Sequence, residues 1–435
     1  MAKDKVLCAV DVGSSKIATL IASVGEDEKV NLIGVAAVAS RGVKKAQIVD
    51  IEEAVVAITE SIEAAERMAG YSISSVYVST GGPQIESTNS HAVVAVSKPE
   101  GEIQENDVLR VNDAARAIPL PSSREILHVI PRFFTVDGQE GIRDPIGMTG
   151  VRLETDTHII SGPAPAMKNL VKCMGLVGVG VEELVFSGIA SSYSCLTETE
   201  KELGVVLVDI GGETTDVVIY VDGAVAHSSV IPVGARHITS DLAVGLRVSL
   251  ESAEKIKLFL GKLQKTPVLP ESLSEKEEAK PSHLAKSAKE DPLDVKSLGI
   301  PEDIQKISKK AVVESIIRPR VREIFELAGK EIKKSGFATQ TPSGLVITGG
   351  GALTVGLLDQ AKYMLGFPAR LGHAEGLSGL TDEVDSPVFA TASGLILYAA
   401  KSNPAPQFAL PVLAKGLPLK GILARGVGLL KSFLP

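Results

Sequence analysis

The chain has 435 residues, 44% of them hydrophobic and 23% charged, an ordinary globular composition. It is long enough for two or more lobes, since a single core stops growing near about 250–300 residues. A net charge of −8, 4% aromatics and no tryptophan exclude nucleic acid as the main partner and argue against a carbohydrate-stacking surface.

Three cysteines, Cys8, Cys173 and Cys195, match no zinc or redox spacing and read as small buried thiols. The N-terminal stretch reaches Asp11 before a signal-peptide core could form, and no run of about 18 uncharged apolar residues occurs. The expectation is a cytoplasmic protein whose membrane contact, if any, is peripheral.

Strand-like apolar runs alternate with helical patterns, which predicts an α/β fold. Strands are expected at 6–10, 17–23 and 32–39. A helix follows at 51–69, with Ile51, Val55, Ile58, Ile62 and Ala65 on one face and Gly70 as its stop. The next strand, 76–79, ends at Gly81-Gly82-Pro83. From Gly204 the opening pattern returns: a strand at 205–210, a Gly211-Gly212 turn, and a strand at 215–221. Strand, aspartate, glycine-rich turn and strand, twice over, predict two duplicated lobes around a cleft. Between about 262 and 303, prolines alternate with Ser, Glu and Lys, and the segment reads as a flexible insertion. Residues 402–417 read as a linker.

Three glycine elements point to a nucleotide. In Asp11-Val-Gly-Ser-Ser-Lys16, Gly13 permits a tight turn and close approach of backbone N–H groups to phosphate oxygens. Ser14 and Ser15 add hydroxyl donors, and Lys16 supplies a charge for the terminal phosphate. Asp209-Ile-Gly-Gly-Glu-Thr-Thr-Asp216 repeats the arrangement through Gly211, Gly212, Glu213 and Thr214. Asp11 and Asp209, each at a strand end, are placed to share the water shell of Mg²⁺. The third element, Leu345-Val-Ile-Thr-Gly-Gly-Gly-Ala352, offers Gly349, Gly350, Gly351 and Ala352 to adenosine, with a helix expected from Leu353. Each element alone is an ordinary turn; all three in this order predict ATP bound between the lobes. There is no P-loop and no dinucleotide fingerprint. A helix capped by Ser249 carries Glu254 and Lys257, a spacing that by itself reads as a solvated i,i+3 pair. The helix also resembles the one in the actin, Hsp70 and sugar-kinase superfamily whose acid and base flank the ribose, which implies that role here.

With these motifs placed, the sequence resembles the bacterial cell-division family FtsA, within the actin, Hsp70 and sugar-kinase superfamily. The resemblance rests on Ser40-Arg-Gly-Val43, Ile73-Ser-Ser-Val-Tyr77, Leu127-His-Val-Ile-Pro131, the stretch from Gln139 to Arg152, Ser187–Ser194, Gly379-Leu-Thr-Asp382 and Thr391–Leu395. It implies an actin-like ATPase fold with the FtsA-type subdomain 1C. The implied division is 1A at 1–82, 163–203 and 386–401, 1C at 83–162, 2A at 204–245 and 332–385, and 2B at 246–331. It also implies self-association into filaments, contact with other division proteins, and docking of the FtsZ C-terminal peptide on 2B. Arg318 and Arg320 are the candidate docking residues there, read equally well as solvated helix arginines. Hydrolysing relatives carry a Glu-Pro where this chain has Ser187-Gly188, so weak or absent ATPase activity is expected.

The last segment, 418–435, is a basic amphipathic stretch. On a helical wheel Leu419, Ile422, Leu423, Leu430, Phe433 and Leu434 share one side, while Arg425 and Lys431 lie on the other with Lys420. Such a stretch suits an in-plane helix on an anionic membrane. The reading is therefore an adapter that ties FtsZ to the inner face of the cytoplasmic membrane at the division site and helps assemble the divisome. An actin-fold ATPase or small-molecule kinase is the alternative. An Hsp70-like chaperone would need a peptide-binding domain for which no residues remain.

Overall fold

The computed structural model describes residues 5–97, 101–263, 292–293, 298–302 and 308–402. The proposed membrane helix and linker, and most of the proposed insertion, lie outside the described residues.

The chain opens with β1 (Lys5–Val12), β2 (Lys16–Val24) and β3 (Val30–Ala39), an antiparallel meander of mostly buried aliphatic residues. A small hairpin, β4 (Val43–Lys44) and β5 (Gln47–Ile48), leads into α1 (Ile51–Ala69). The Asp50 carboxylate caps α1 by accepting from the Glu53 N–H, and Gly70 ends it in the left-handed conformation. The buried face is Ala54, Ala57, Ile58, Ser61, Ile62 and Ala65, so Ile51 and Val55 sit at its margin. β6 (Ser75–Thr80) then pairs parallel with β1.

An inserted unit follows: β7 (Glu86–Ala95), α2 (Glu105–Arg116), β8 (Arg124–Val136), β9 (Gln139–Ile142) and β10 (Arg152–Pro163). Its sheet runs β7-β10-β8-β9, and α2 closes a separate small core around Val111, Ala115, Phe134 and Leu153. The first lobe resumes with α3 (Ala164–Val177), β11 (Gly180–Phe186), α4 (Ser187–Cys195) and α5 (Glu198–Leu203).

The second lobe repeats the plan with β12 (Val205–Ile210), β13 (Thr215–Val221) and β14 (Ala224–Ile231), then α6 (Ala235–Leu246) and α7 (Leu250–Leu263). A π-helical turn at Val313–Ile317 enters α8 (Arg318–Ser335). After it come β15 (Leu345–Thr348), α9 (Leu357–Leu365), β16 (Ala369–Leu371), β17 (Leu377–Gly379) and α10 (Ala390–Lys401). Ile256, Phe325 and Ile347 meet in this lobe's core.

The duplication is exact in topology. One sheet runs β3-β2-β1-β6-β11, with β17 on its β3 edge, and the other runs β14-β13-β12-β15-β16. In each, an antiparallel meander joins a parallel pair, and the first strand of each half lies in mid-sheet. That placement brings the β1–β2 and β12–β13 turns to corresponding ends of their sheets.

Candidate functional site

The two turns have the same local geometry. Gly13 N–H donates to Lys16 O at 3.1 Å, and Gly211 N–H donates to Thr214 O at 2.9 Å. They meet tip to tip: a Cβ added to Gly212 would lie 3.0 Å from the Ser15 Cβ. A side chain at 212 would fit only if Ser15 gave way by a few tenths of an ångström.

Three carboxylates stand behind the tips. Asp11 accepts from the Ser79 hydroxyl at 2.8 Å and from Lys16 Nζ at 3.4 Å. Lys16 also lies over the Phe389 ring, 4.9 Å from its centroid. Asp209 and Asp216 are direct cross-strand neighbours and both are buried. Asp209 accepts from the hydroxyls of Ser191 and Thr391, and Asp216 accepts from Ser187 at 2.5 Å. The other Asp216 oxygen, Oδ1, is buried without a partner. Burial pushes both carboxyls above the usual carboxylate range, for Asp216 with the neighbouring Asp209 as the next cause. Three carboxyls crowded beside a single lysine disfavour one another's ionised forms, a strain that proton uptake or a nearby cation relieves. Among the described residues no three His, Cys, Asp or Glu side chains could hold a metal ion directly.

The third glycine element lies against the second lobe's turn because β15 runs parallel to β12, with Thr348 opposite Asp209. Gly349 has φ +82°, and a Cβ there would be 2.2 Å from Asp209 Oδ1 and 2.5 Å from Ile210 O. The helix expected from Leu353 is instead a 3-10 turn over Gly350–Leu353, and α9 starts at Leu357. The 3-10 turn stops at Thr354, which takes an extended conformation, and a Cβ at Gly351 would collide with Ile210.

On α7, Ser249 caps as expected, its hydroxyl accepting from Ser252 N–H at 3.2 Å. Lys257 is only 8% exposed and reaches Glu254 at 2.8 Å, the Thr239 hydroxyl at 2.8 Å and Ala235 O at 3.3 Å. It is thus a buried tie between α7 and the start of α6, not a solvated partner of Glu254. The start of α6 in turn rests on the second turn, Ala235 N–H donating to Gly211 O and Arg236 N–H to Gly212 O. The Glu213 carboxylate accepts from Lys45 N–H and faces Arg236.

Away from this cleft, Arg320 forms a bidentate pair with Asp241 at 2.7 and 2.9 Å and also pairs with Glu323; Arg318 pairs with Glu314. Arg320 borders a groove of about 460 Å³ with Val244, Ile316 and Pro319. Val244 is 80% exposed. Of the hydroxyls that orient Asp11 and Asp209, Ser191 and Thr391 lie in stretches that carry the family resemblance but give no spacing to the aspartates in sequence, and Ser79 carries no signal, because these contacts exist only in the folded structure.

The family model for the SHS2 domain inserted in FtsA matches residues 82–161, and that for cell division protein FtsA matches residues 206–394. The chain is 40% identical over 392 residues to the cell division protein FtsA of Borreliella burgdorferi, covering 90% of each. Among solved structures it resembles the PilM–PilN type IV pilus biogenesis complex, with a TM-score of 0.62 at 15% identity over 91% of this chain and 99% of that one. It also resembles MreB5 of Spiroplasma citri bound to ADP, with a TM-score of 0.51 at 14% identity over 91% of this chain and 96% of that one. The fold is that of the actin-like ATPases, and the chain belongs to the FtsA family of cell-division proteins.

Proposed function

We propose that this chain binds ATP between its lobes, assembles into actin-like filaments, and tethers FtsZ to the cytoplasmic membrane at the division site, where other division proteins gather on it. The observation that carries the nucleotide reading is the tip-to-tip meeting of two identical glycine turns in front of Asp11 and Asp209. Backbone N–H groups of Gly13, Ser14, Ser15, Gly211, Gly212, Glu213 and Thr214 would receive the phosphates. Lys16 would exchange Asp11 for phosphate charge. Gly349 to Ala352 would receive adenosine, with the Glu254–Lys257 pair at its ribose. The orphaned Asp216 Oδ1 and the clustered carboxyls fit a hydrated Mg²⁺ held through water by Asp11 and Asp209, which would neutralise phosphate charge. Calorimetric titration with Mg-ATP tests this; a wild-type protein that takes up no nucleotide would refute it.

Hydrolysis is proposed to be weak or absent. Ser187 hydrogen-bonds Asp216 at the start of α4, where a carboxylate free to order water would otherwise stand. Rapid phosphate release or transfer to a small molecule would favour the kinase or ATPase alternative.

We assign 83–162 to subdomain 1C and 246–331 to 2B. The groove at Arg320 supports docking of the FtsZ C-terminal peptide: Val244, Ile316 and Pro319 offer apolar contact, and Arg320 a guanidinium that an acidic side chain can share with Asp241 and Glu323. Arg318 at the rim is the weaker candidate, since Glu314 already holds it. For the membrane, the basic amphipathic composition of 418–435 supports peripheral anchoring. Removing 417–435 is expected to abolish co-sedimentation with vesicles containing anionic lipid; unchanged co-sedimentation would sink the anchor.

A further inference from the structure

The β4–β5 hairpin touches both nucleotide turns without belonging to either. Lys44 pairs with Gln47, so Lys45 and Ala46 form a two-residue loop, and both have positive φ, 48° and 57°. That turn geometry is ordinarily given to Asn-Gly, because other residues adopt it at a conformational cost. Strands of two residues cannot hold such a loop by themselves. Its two N–H groups are held from outside. Lys45 N–H donates to Glu213 Oε2 at 2.7 Å, and Ala46 N–H donates to Ser14 Oγ at 2.8 Å. Arg236 joins the two anchors, donating to Ser14 O at 3.2 Å and to Glu213 Oε1 at 3.4 Å.

The ties come from opposite sides of the cleft. Ser14 belongs to the first lobe's turn, whereas Glu213 and Arg236 belong to the second lobe. The loop also abuts the carboxylate end of the site. A Cβ on Gly82 would lie 2.9 Å from Lys45 O, and one on Gly81 would lie 3.4 Å from the Ala46 Cβ and 2.9 Å from Ser187 Oγ. A ligand held between two turns leaves when the turns part, and parting them breaks the Glu213–Lys45 and Arg236–Ser14 bonds together.

We propose that Glu213, Arg236 and the Lys45–Ala46 loop form a cross-cleft latch that sets how slowly a nucleoside triphosphate leaves the site. Glu213 and Arg236 act as positioning residues, through the loop rather than by side-chain contact with the ligand. The inference rests on the nucleotide reading above.

The test uses the full chain loaded with a fluorescent ATP analogue and Mg²⁺, then chased with excess ATP in a stopped-flow instrument. Glu213→Ala, at a mostly buried side chain, and Arg236→Ala, at an exposed one, are each expected to speed release about tenfold, the effect of losing one charge-assisted hydrogen bond. Adding Lys45→Asn with Ala46→Gly, which lets the loop hold its shape without Glu213, is expected to return Glu213→Ala to within about threefold of wild type. A merely structural role for Glu213 would shift melting and would not be rescued this way. If wild type binds the analogue and both alanine variants release it at the wild-type rate, the latch is wrong. If wild type binds none, the nucleotide reading falls first and the latch with it.

Discussion

Protonation of His158 should weaken the joint between the inserted sheet and the second lobe. This residue of β10 is 1% exposed. Its Nδ1 meets Asn89 Oδ1 at 2.7 Å and its Nε2 meets Ser228 Oγ at 2.9 Å on β14. Because Asn89 Nδ2 donates to Ala226 O, Asn89 Oδ1 is the acceptor and Nδ1 of His158 carries a proton, while the Ser228 hydroxyl can donate to Nε2 of the neutral ring. Burial, followed by His227, Arg132 and His128, pushes its pKa down to about 3. A histidine with a depressed folded pKa contributes stability that is complete above the unfolded value of about 6.5 and is lost as pH falls from there toward the folded value. Between pH 7 and pH 5 the loss works out to about 2 kcal/mol.

His128, with its pKa pushed down to about 4, acts in the same sense. Asp209 and Asp216 act oppositely: burial raises them, so the folded state takes up protons more readily and gains stability as pH falls through the raised values. The whole-protein pH profile is therefore a sum of opposing contributions, and a difference measurement isolates His158. Urea unfolding of wild type and His158→Gln, followed by circular dichroism, should give a stability gap about 2 kcal/mol smaller at pH 5 than at pH 7. A gap constant to about 0.5 kcal/mol would refute a neutral buried His158.

Gly349→Ala should abolish nucleotide binding and destabilise the fold by about 1–3 kcal/mol, since its Cβ must displace Asp209 or Ile210 from a positive-φ position; calorimetry and melting report the two effects. Val244→Asp, at a site 80% exposed, should change stability by less than about 0.5 kcal/mol. Fluorescence anisotropy should show the same variant weakening an FtsZ C-terminal peptide at least about tenfold. Phe325→Ala, in the core of the second lobe, should lower unfolding stability by about 3–5 kcal/mol.

The two-lobed α/β plan and the three glycine elements were legible because each depends on short-range pattern. An aliphatic run ending in aspartate and glycine can only turn tightly, whatever surrounds it, and its recurrence at Asp209 exposed the duplication. Ile51–Ala69 was bounded correctly for the same reason, by a local cap and a local stop. What escaped depends on distance in space. Leu353 falls in a 3-10 turn that ends where Thr354 becomes extended, short of the helix that starts at Leu357. Lys257, which from sequence read equally as a ribose partner or as half of a solvated pair, is covered by α6, and Ser79, Ser191 and Thr391 came to hydrogen-bond the aspartates only when separate strands and helices converged. The sequence by itself determined which segments turn and which are buried, since those follow from residue chemistry and spacing. Tertiary structure decided which polar groups meet, because a hydrogen bond between residues far apart in the chain exists only once the elements that carry them have packed.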